Sequence, residues 1–331
     1  MSGNVRVEVS GPSSRFRSIR GGPTFGAPTT PTETLDSTRV TRSPSHTLAR
    51  YVATRYVQPL REGGSLPAVV DTDRGGLVVV KFRGAGQGAK VLVAELIVGL
   101  LAQHLELPVP EVSLVDVSDR FGRSEPDPEI QELLRRSHGT NVGARYLEGA
   151  FNFDGAAAGD LLDPELAARI VWLDAFTTNP DRTPHNPNLL VWQRRPWLID
   201  HGAALYAHHD WASVDDARTV TSFPLIRSHI LLGASGDLAA ADAECAALLS
   251  EELIAAILDE VPDDLFVGNA DDRIAGTAAQ RPEFASAADA RDRYRRYLSR
   301  RLQAPRAFAA EAIAAQGQVR REPPQHLKAR R

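Results

Sequence analysis

The chain has one cysteine, Cys245, in 331 residues. An internal disulfide and a multi-cysteine metal site are therefore excluded, and a lone thiol in an apolar helical stretch reads as a small core residue. No apolar run approaches the length of a bilayer span. Met1-Ser2-Gly3-Asn4-Val5 lacks the apolar segment of a signal peptide. The expectation is a cytoplasmic protein with no membrane partner. Neither sign of charge dominates: 38 basic residues face 42 acidic ones, net −4, so nothing global points to direct nucleic-acid binding. Internal repeats are also absent. The charge is uneven, however, with +4 in residues 1–50, +4 in 317–331 and −12 in the body between them. An acidic body suits a site that collects divalent cations, and equally a plain solvated surface.

Residues 1–50 hold 26 Ser, Thr, Pro or Gly and no periodicity. They carry too little apolar surface to offset chain entropy and read as a disordered arm. Order begins near Leu48–Pro59. Two β-rich runs, Leu66–Asp71 and Leu77–Phe82, flank the turn Thr72-Asp73-Arg74-Gly75-Gly76. A helix over Val91–Leu105 follows, then strands at Glu111–Val117 and Thr140–Leu147, with a short helix opened by Asp127-Pro128-Glu129 between them. After Asp163-Pro164, helices are expected at 164–178, 242–260, 288–302 and 305–316. Two further strands, Leu189–Gln193 and Pro196–Ile199, are joined by Arg194-Arg195. Strands first and helices after is α+β segregation. The expected parts are the arm (1–50), a β-rich part (51–149), a helical part (150–303), and a C-terminal helix with a basic tail (304–331). Trp172, Trp192, Trp197 and Trp211 are expected to cluster in the core of the helical part.

The informative residues are polar ones in apolar or turn-rich surroundings. Leu77-Val78-Val79-Val80-Lys81-Phe82 ends on a lysine, and burying an unpaired ammonium is costly. Lys81 either snorkels to water or has a partner. Glu95 interrupts Val93, Leu96, Ile97, Leu100, Leu101 and Leu105, which repeat at helical spacing. It has the same need, and a Lys81–Glu95 ion pair meets both. Downstream, Asp181-Arg182, Asn188-Leu189-Leu190 and Ile199-Asp200-His201-Gly202 present an acid, an amide and a second acid around a short strand pair. Each alone is an ordinary turn former. As an ordered set they resemble the acid, amide and acid of kinases, where the first acid orients the attacking hydroxyl and the other two hold magnesium under the nucleotide's phosphates.

Two competing patterns are present. Gly84-Ala85-Gly86-Gln87-Gly88-Ala89 fits the G-x-G-x-x-[GA] fingerprint of a dinucleotide-binding enzyme, between a strand and a helix. The acid expected about twenty residues on falls among Gln103, His104 and Leu105, with Glu106 only an approximate match. The preceding strand belongs to a hairpin and no second βαβ unit follows, so a plain connector is the better reading. His185, His201, His208, His209 and Asp210, with Asp181 and Asp200, offer ligands for a hydrolytic zinc or iron. They show no regular spacing, and strand–turn–strand between two aspartates suits a magnesium loop better.

Taken together, these residues resemble the protein-kinase-like superfamily and, within it, the HipA-like kinases, over roughly residues 60–300. Ala94-Glu95-Leu96 through Leu107-Pro108-Val109-Pro110 resembles the family's glutamate helix and its exit. Thr178-Asn179-Pro180-Asp181-Arg182 resembles its catalytic loop, and Leu198-Ile199-Asp200-His201-Gly202 stands where other kinases carry Asp-Phe-Gly. The resemblance implies a two-lobed protein kinase-like α+β fold that uses ATP and Mg2+. The implied reaction passes the γ-phosphate to a hydroxyl, Ser or Thr of a protein, this chain included. Lys81 and Glu95 would serve the nucleotide's phosphates, Asp181 would be the base and Arg182 would support its loop. Asn188 and Asp200 would bind the metal. Gly63, Gly64 and Ser65 would cover the phosphates, with Ser65 a candidate for autophosphorylation. The backbone of Tyr146-Leu147-Glu148-Gly149, Leu147 and Glu148 foremost, would read the adenine edge. The family's usual spacing makes Asn186 the amide ligand. Here the strand starts directly after Asn188, which favours Asn188 and a two-residue insertion. His201 also replaces the usual Phe. Family toxins carry an antitoxin-contacting N-terminal subdomain; the arm is too short for one, so no antitoxin partner is expected and the protein substrate stays open. The competing class is a non-catalytic nucleotide-binding scaffold.

Overall fold

The computed structural model describes residues 48–60, 66–74, 76–86, 88–155, 161–267 and 283–321. Residues 1–47, Gly63, Gly64 and Ser65 lie outside the described residues, as does the tail from 322 on. Pro44–Arg331 is one compact unit, and its fold is mixed α/β.

Five strands close into a barrel in the order β1-β2-β3-β5-β4. They are β1 (Ala49–Pro59), β2 (Ala68–Thr72), β3 (Leu77–Lys81), β4 (Val112–Val117) and β5 (Gly139–Arg145). The β2–β3 hairpin is antiparallel, with Val69 opposite Val79, as the turn residues lead one to expect. β5 lies between β3 and β4, antiparallel to both. Closure comes from β1, which runs parallel to β4 from Ala49 opposite Ser113 to Val52 opposite Asp116. Ala49 and Arg50 therefore belong to a strand rather than to the arm. Their partner is more than sixty positions away, beyond the reach of any local pattern. The register of β1 against β2 slips between Ala53 and Arg55 and again between Tyr56 and Gln58. Such bulges add the twist a closing strand needs. Ala53, Ala68, Val70, Val78, Val80, Phe82, Val115 and Val117 fill the barrel.

Between β3 and β4 runs α1 (Ala89–His104), buried without a break from Val91 to Ala102. A helix apolar on all sides is one enclosed on all sides. It joins the larger core together with α3 (Pro164–Phe176). Asp127 and Pro128 open α2 (Pro128–Arg136), the Asp127 carboxylate accepting from Glu129 N at 2.9 Å. Asp163 and Pro164 open α3 in the same way. β6 (Phe151–Asn152), β7 (Leu189–Trp192) and β8 (Arg195–Leu198) form a second sheet. The β7–β8 turn is Gln193-Arg194, one residue earlier than the sequence suggests, with φ 50° and 59°. A two-residue hairpin loop takes two positive φ values because its twist then matches the strands.

Among the described residues the remaining α-helices are α4 (Asp216–Thr219), α5 (Leu238–Leu248), α6 (Glu251–Asp259), α7 (Asp263–Val267), α8 (Ala287–Leu302) and α9 (Ala307–Arg321). The expected helix at 242–260 is thus two. Leu249 is extended, and the Ser250 hydroxyl caps α6 by accepting from Leu253 N at 3.1 Å. A capping side chain competing with the helix ladder is why the break falls there. The tryptophans do not form one cluster. Trp172 stacks on Phe176, Trp211 packs on Tyr294 and Tyr297, and Trp192 and Trp197 pair at the hairpin, half-buried. Cys245 is buried. Among the described residues no helix is long and apolar enough to cross a membrane. Finally, α8 delivers the buried Arg301, whose guanidinium donates to Phe176 O (2.9 Å), Ala175 O (3.1 Å) and Thr219 O (2.9 Å). A cation on the last carbonyls of α3 satisfies groups the helix cannot, and fixes the point where the next loop begins.

Candidate active site

β3 ends at Lys81, opposite Val142 of β5, and α1 brings Glu95 beside it. Lys81 Nζ pairs with Glu95 Oε1 and also lies 2.6 Å from Asp200 Oδ1. The first contact is the one expected from the sequence. The second joins residues 119 positions apart. Burial acts against the Lys81 ammonium, but Glu95 and Asp200 outweigh it and hold the pKa above the ordinary lysine value. Burial likewise acts against the Asp200 carboxylate, and Lys81 pulls its pKa below the usual range. The Glu95 carboxyl is pushed up by burial, against the pull of Lys81. The His201 backbone also pulls the Glu95 pKa down, and the ion pair with Lys81 ties α1 to β3. Gly202 lets its segment come close to α1. A Cβ there would sit 2.5 Å from Val91 Cγ1, closer than Cβ contacts come, and 3.1 Å from Glu95 Oε1, a tight contact.

Beyond α3 the chain turns through Thr178, whose φ of 53° is rare for a β-branched residue. Asn179 then spans the loop, its Nδ2 donating to Asp174 Oδ1 at 2.9 Å and its Oδ1 accepting from Asp181 N at 3.1 Å. Asp181 Oδ2 accepts from Asn186 Nδ2 at 2.9 Å and from Asn188 Nδ2 at 3.2 Å. Asn188 Nδ2 also donates to the Asp181 carbonyl at 3.2 Å. The exposed Asn186 sits in a turn closed by Thr183 N to Asn186 O (3.0 Å) and Asn186 N to Thr183 O (3.2 Å). Asn188 and Asp200 flank the same end of the β7–β8 hairpin, where Ile199 N donates to Asn188 O at 3.0 Å. Both are left-handed, φ 48° and 55°, a conformation that Asn and Asp accept more readily than other side chains.

Two residues of this neighbourhood, Asp174 and His229, are missing from the sequence reading. Arg182, wholly buried, sets its Nε 2.6 Å from Asp174 Oδ2, and His229 Nε2 lies 2.9 Å from the same oxygen. Arg182 Nη1 donates to the carbonyls of Asn188 and Ile199, the latter at 3.3 Å, and Nη2 lies 3.4 Å from His201 Nδ1. Burial opposes the Asp174 carboxylate, yet Arg182 and His229 hold its pKa well below the ordinary range. His201, standing where Phe is usual, is pushed down to about 3 by burial and by Arg182; it is a neutral acceptor for the guanidinium. Asp174 did carry a signal, an acid inside Ile170-Val171-Trp172-Leu173-Asp174-Ala175-Phe176, of the same kind as Glu95. His229, between turns, carried none.

The other candidates separate. Leu147 is buried and Glu148 exposed, just past β5. The Leu147 carbonyl accepts from Ala150 N at 3.1 Å and that of Glu148 from Trp192 Nε1 at 2.9 Å. The glycine-rich connector after β3 does not open a parallel sheet, because β3 has antiparallel neighbours on both sides. Gly84 is needed for packing, since a Cβ there would lie 2.6 Å from Arg136 Cβ at the end of α2. The histidines also disperse. His208 is buried with Nδ1 3.0 Å from the Tyr294 hydroxyl, His201 faces Arg182 and His185 is exposed. Among the described residues no group of three or more His, Cys, Asp or Glu is arranged to hold a metal. What remains is one carboxylate, Asp200, and one amide, Asn188. Asn188 spends its Nδ2 on Asp181, which leaves its Oδ1 as the acceptor. Two hard oxygen donors fit Mg2+, which takes one or two carboxylates and fills its shell with water and substrate phosphate.

No curated protein sequence matches the chain. Among solved structures it is similar to the proinflammatory kinase CtkA of Helicobacter pylori, at 11% identity and a TM-score of 0.47, over 83% of this chain and 100% of that one. The model of the HipA-like kinases matches residues 54–219, half of the chain, a stretch that holds Lys81, Glu95, Asp181, Asn188 and Asp200. This protein belongs to the HipA-like kinase family.

Proposed function

We propose that this chain is an ATP- and magnesium-dependent kinase that passes the γ-phosphate to a hydroxyl, with Ser or Thr of a protein as the acceptor class. In this reading the barrel with α1 is one lobe, the helical part after residue 150 is the other, and the nucleotide lies between them. The observation that carries it is the Lys81 ammonium held between Glu95 and Asp200, at 2.6 Å from the latter. A buried, charged lysine of this kind is a fixed positive centre for phosphate oxygens. Asp181 accepts the proton of the incoming hydroxyl, and the two amides on its Oδ2 orient the carboxylate. Asn188 and Asp200 would hold the metal, whose charge would offset that of the nucleotide's phosphates. Phosphoryl transfer has a loose transition state, so positioning and charge neutralisation do most of the work. The backbone at Leu147 and Glu148 is the adenine-reading edge.

The test is a thermal shift with Mg2+ plus ATP and with NAD, followed by incubation with γ-labelled ATP. A ligand that binds only the native state raises the midpoint. The expected result is a shift with ATP and magnesium, none with NAD, and label transferred to protein. A shift without transfer would make the chain a nucleotide-binding scaffold, and no shift with ATP would end the kinase reading.

A further inference from the structure

We propose that Asp174 and His229 are positioning residues, which aim the Arg182 guanidinium so that it ties the loop of Asp181 and Asn188 to the segment of Asp200. The catalytic part of this proposal rests on the kinase reading above; the linkage itself does not.

The geometry is that of an aimed arginine. Asp174 takes Arg182 Nε at 2.6 Å and His229 Nε2 at 2.9 Å on one oxygen, and Asn179 Nδ2 at 2.9 Å on the other. Leu231 N donates to His229 Nδ1 at 3.1 Å. That bond assigns the ring hydrogen to Nε2, so His229 is a donor to Asp174. His229 thus adds a third hydrogen bond to the carboxylate without adding a second counter-charge. A buried Arg–Asp pair by itself adds little net stability, and three donors on one acid define its orientation closely. The far end of the guanidinium meets the carbonyls of Asn188 and Ile199. One belongs to the amide ligand, and the other immediately precedes the acid ligand. Asn188 and Asp200 are both left-handed, and strained residues persist only where their surroundings over-determine them. The segment after His229 adds a second hold, Ile230 N donating to the Arg182 carbonyl at 3.0 Å. Ile230 therefore holds Arg182 at its backbone, while His229, itself held by Leu231 N, reaches the Arg182 side chain only through Asp174.

Two substitutions separate this role from a local turn. His229→Gln keeps a donor able to reach Asp174 and loses the acceptor for Leu231 N. His229→Asn keeps that acceptor and is too short to reach Asp174. Each is measured for label transfer against magnesium concentration, for circular dichroism, and for hydrogen exchange of the amides in 179–190 and 198–204. The Gln variant is expected near wild type in all three. The Asn variant should lose about 10- to 100-fold in kcat and need more magnesium, as removal of a group that orients a ligand does. It should also exchange faster in those two segments alone. Asp174→Asn, which keeps the shape and removes the charge that aims Arg182, should repeat the Asn pattern and serves if His229→Asn does not fold. Wild-type rate and exchange in the Asn variant, or equal losses in Gln and Asn, would overturn the proposal. If the wild-type protein transfers no label, the kinase reading falls and the exchange comparison alone judges the linkage.

Discussion

Lys81 Nζ lies 2.6 Å from Asp200 Oδ1, so the ammonium paired with Glu95 also neutralises the acid after β8. One side chain thus joins the barrel, α1 and the candidate metal segment. Lys81→Met, which retains the length of the stem, should lower ATP turnover on the order of 100-fold, as loss of a preorganised charge does. The circular dichroism spectrum should not change. Glu95→Gln should act through the same contact, so the double variant should be little worse than one single. Strictly additive losses in a double-mutant cycle would mean that the pair has no functional coupling.

Asp181 touches Asn186 and Asn188 and makes no contact with Lys81 or Asp200 among its hydrogen bonds. Asp181→Ala should therefore leave the ATP-induced thermal shift almost intact while cutting label transfer about 100- to 10,000-fold, the range of a positioned acid–base residue. Full autophosphorylation by this variant would remove Asp181 from the mechanism.

Asn188 is nearly buried at the hairpin end and Asn186 exposed on its turn, though both reach the same carboxylate. Asn188→Ala should raise the magnesium requirement sharply, because the residue is assigned a ligand oxygen. Asn186→Ala should lower kcat modestly at unchanged magnesium dependence, since its side-chain amide donates to Asp181 while its other bonds are backbone bonds within the Thr183 turn. Magnesium titrations of both variants rank them, and the reverse order would make Asn186 the ligand.

Gly202→Ala should abolish most activity in a folded protein, because its Cβ would meet Val91 Cγ1 at 2.5 Å and push the Asp200 segment off α1. Val91→Ala in the same chain removes the obstructing methyl groups and should restore part of the rate. No rescue by Val91→Ala would show that crowding against α1 is not the cause.

His208 is buried and held down to about 3 by burial, by the neighbouring His209 and by Lys90, whose ammonium meets the His208 carbonyl; its ordinary value is 6.5. Its other close neighbour is the Tyr294 hydroxyl. Between those two pH values the unfolded chain binds a proton that the native chain does not. The contribution of neutral His208 is therefore complete above pH 6.5 and shrinks as pH falls toward the folded value. Unfolding free energy should drop by about 1.4 kcal/mol per pH unit for this group across that window. Denaturant melts of wild type and His208→Gln at several pH values check it: the slope of the variant should be shallower by that amount, and equal slopes would refute it.

Much of the site was legible because its residues are chemically out of place where they stand. Lys81 at the end of a valine strand and Glu95 inside an apolar helix each needed a partner. An acid, an amide and an acid around a two-strand hairpin implied ligands at its open end. Asp127-Pro128 and Asp163-Pro164 marked helix starts because capping is a local event, settled within one turn. Where a local competitor is present, the structure departs from the periodic pattern. Ser250 broke an apolar helix that periodicity alone runs straight through, and Gln193-Arg194 took the turn from Arg194-Arg195.

By itself, then, the sequence determined what depends on neighbours along the chain: the helix starts, the hairpin of Lys81, the Lys81–Glu95 match and the family. The tertiary structure decided what depends on chain closure. β1 completes the barrel against β4, Lys81 meets Asp200 across 119 positions, and Asp174 meets His229 across 55. No periodicity encodes these meetings, because hydrophobic pattern reports which face of an element is buried and not which element covers it. Asp174 illustrates the division. Its place in an apolar helix shows that it needs donors, and only the fold identifies them as Arg182, Asn179 and His229.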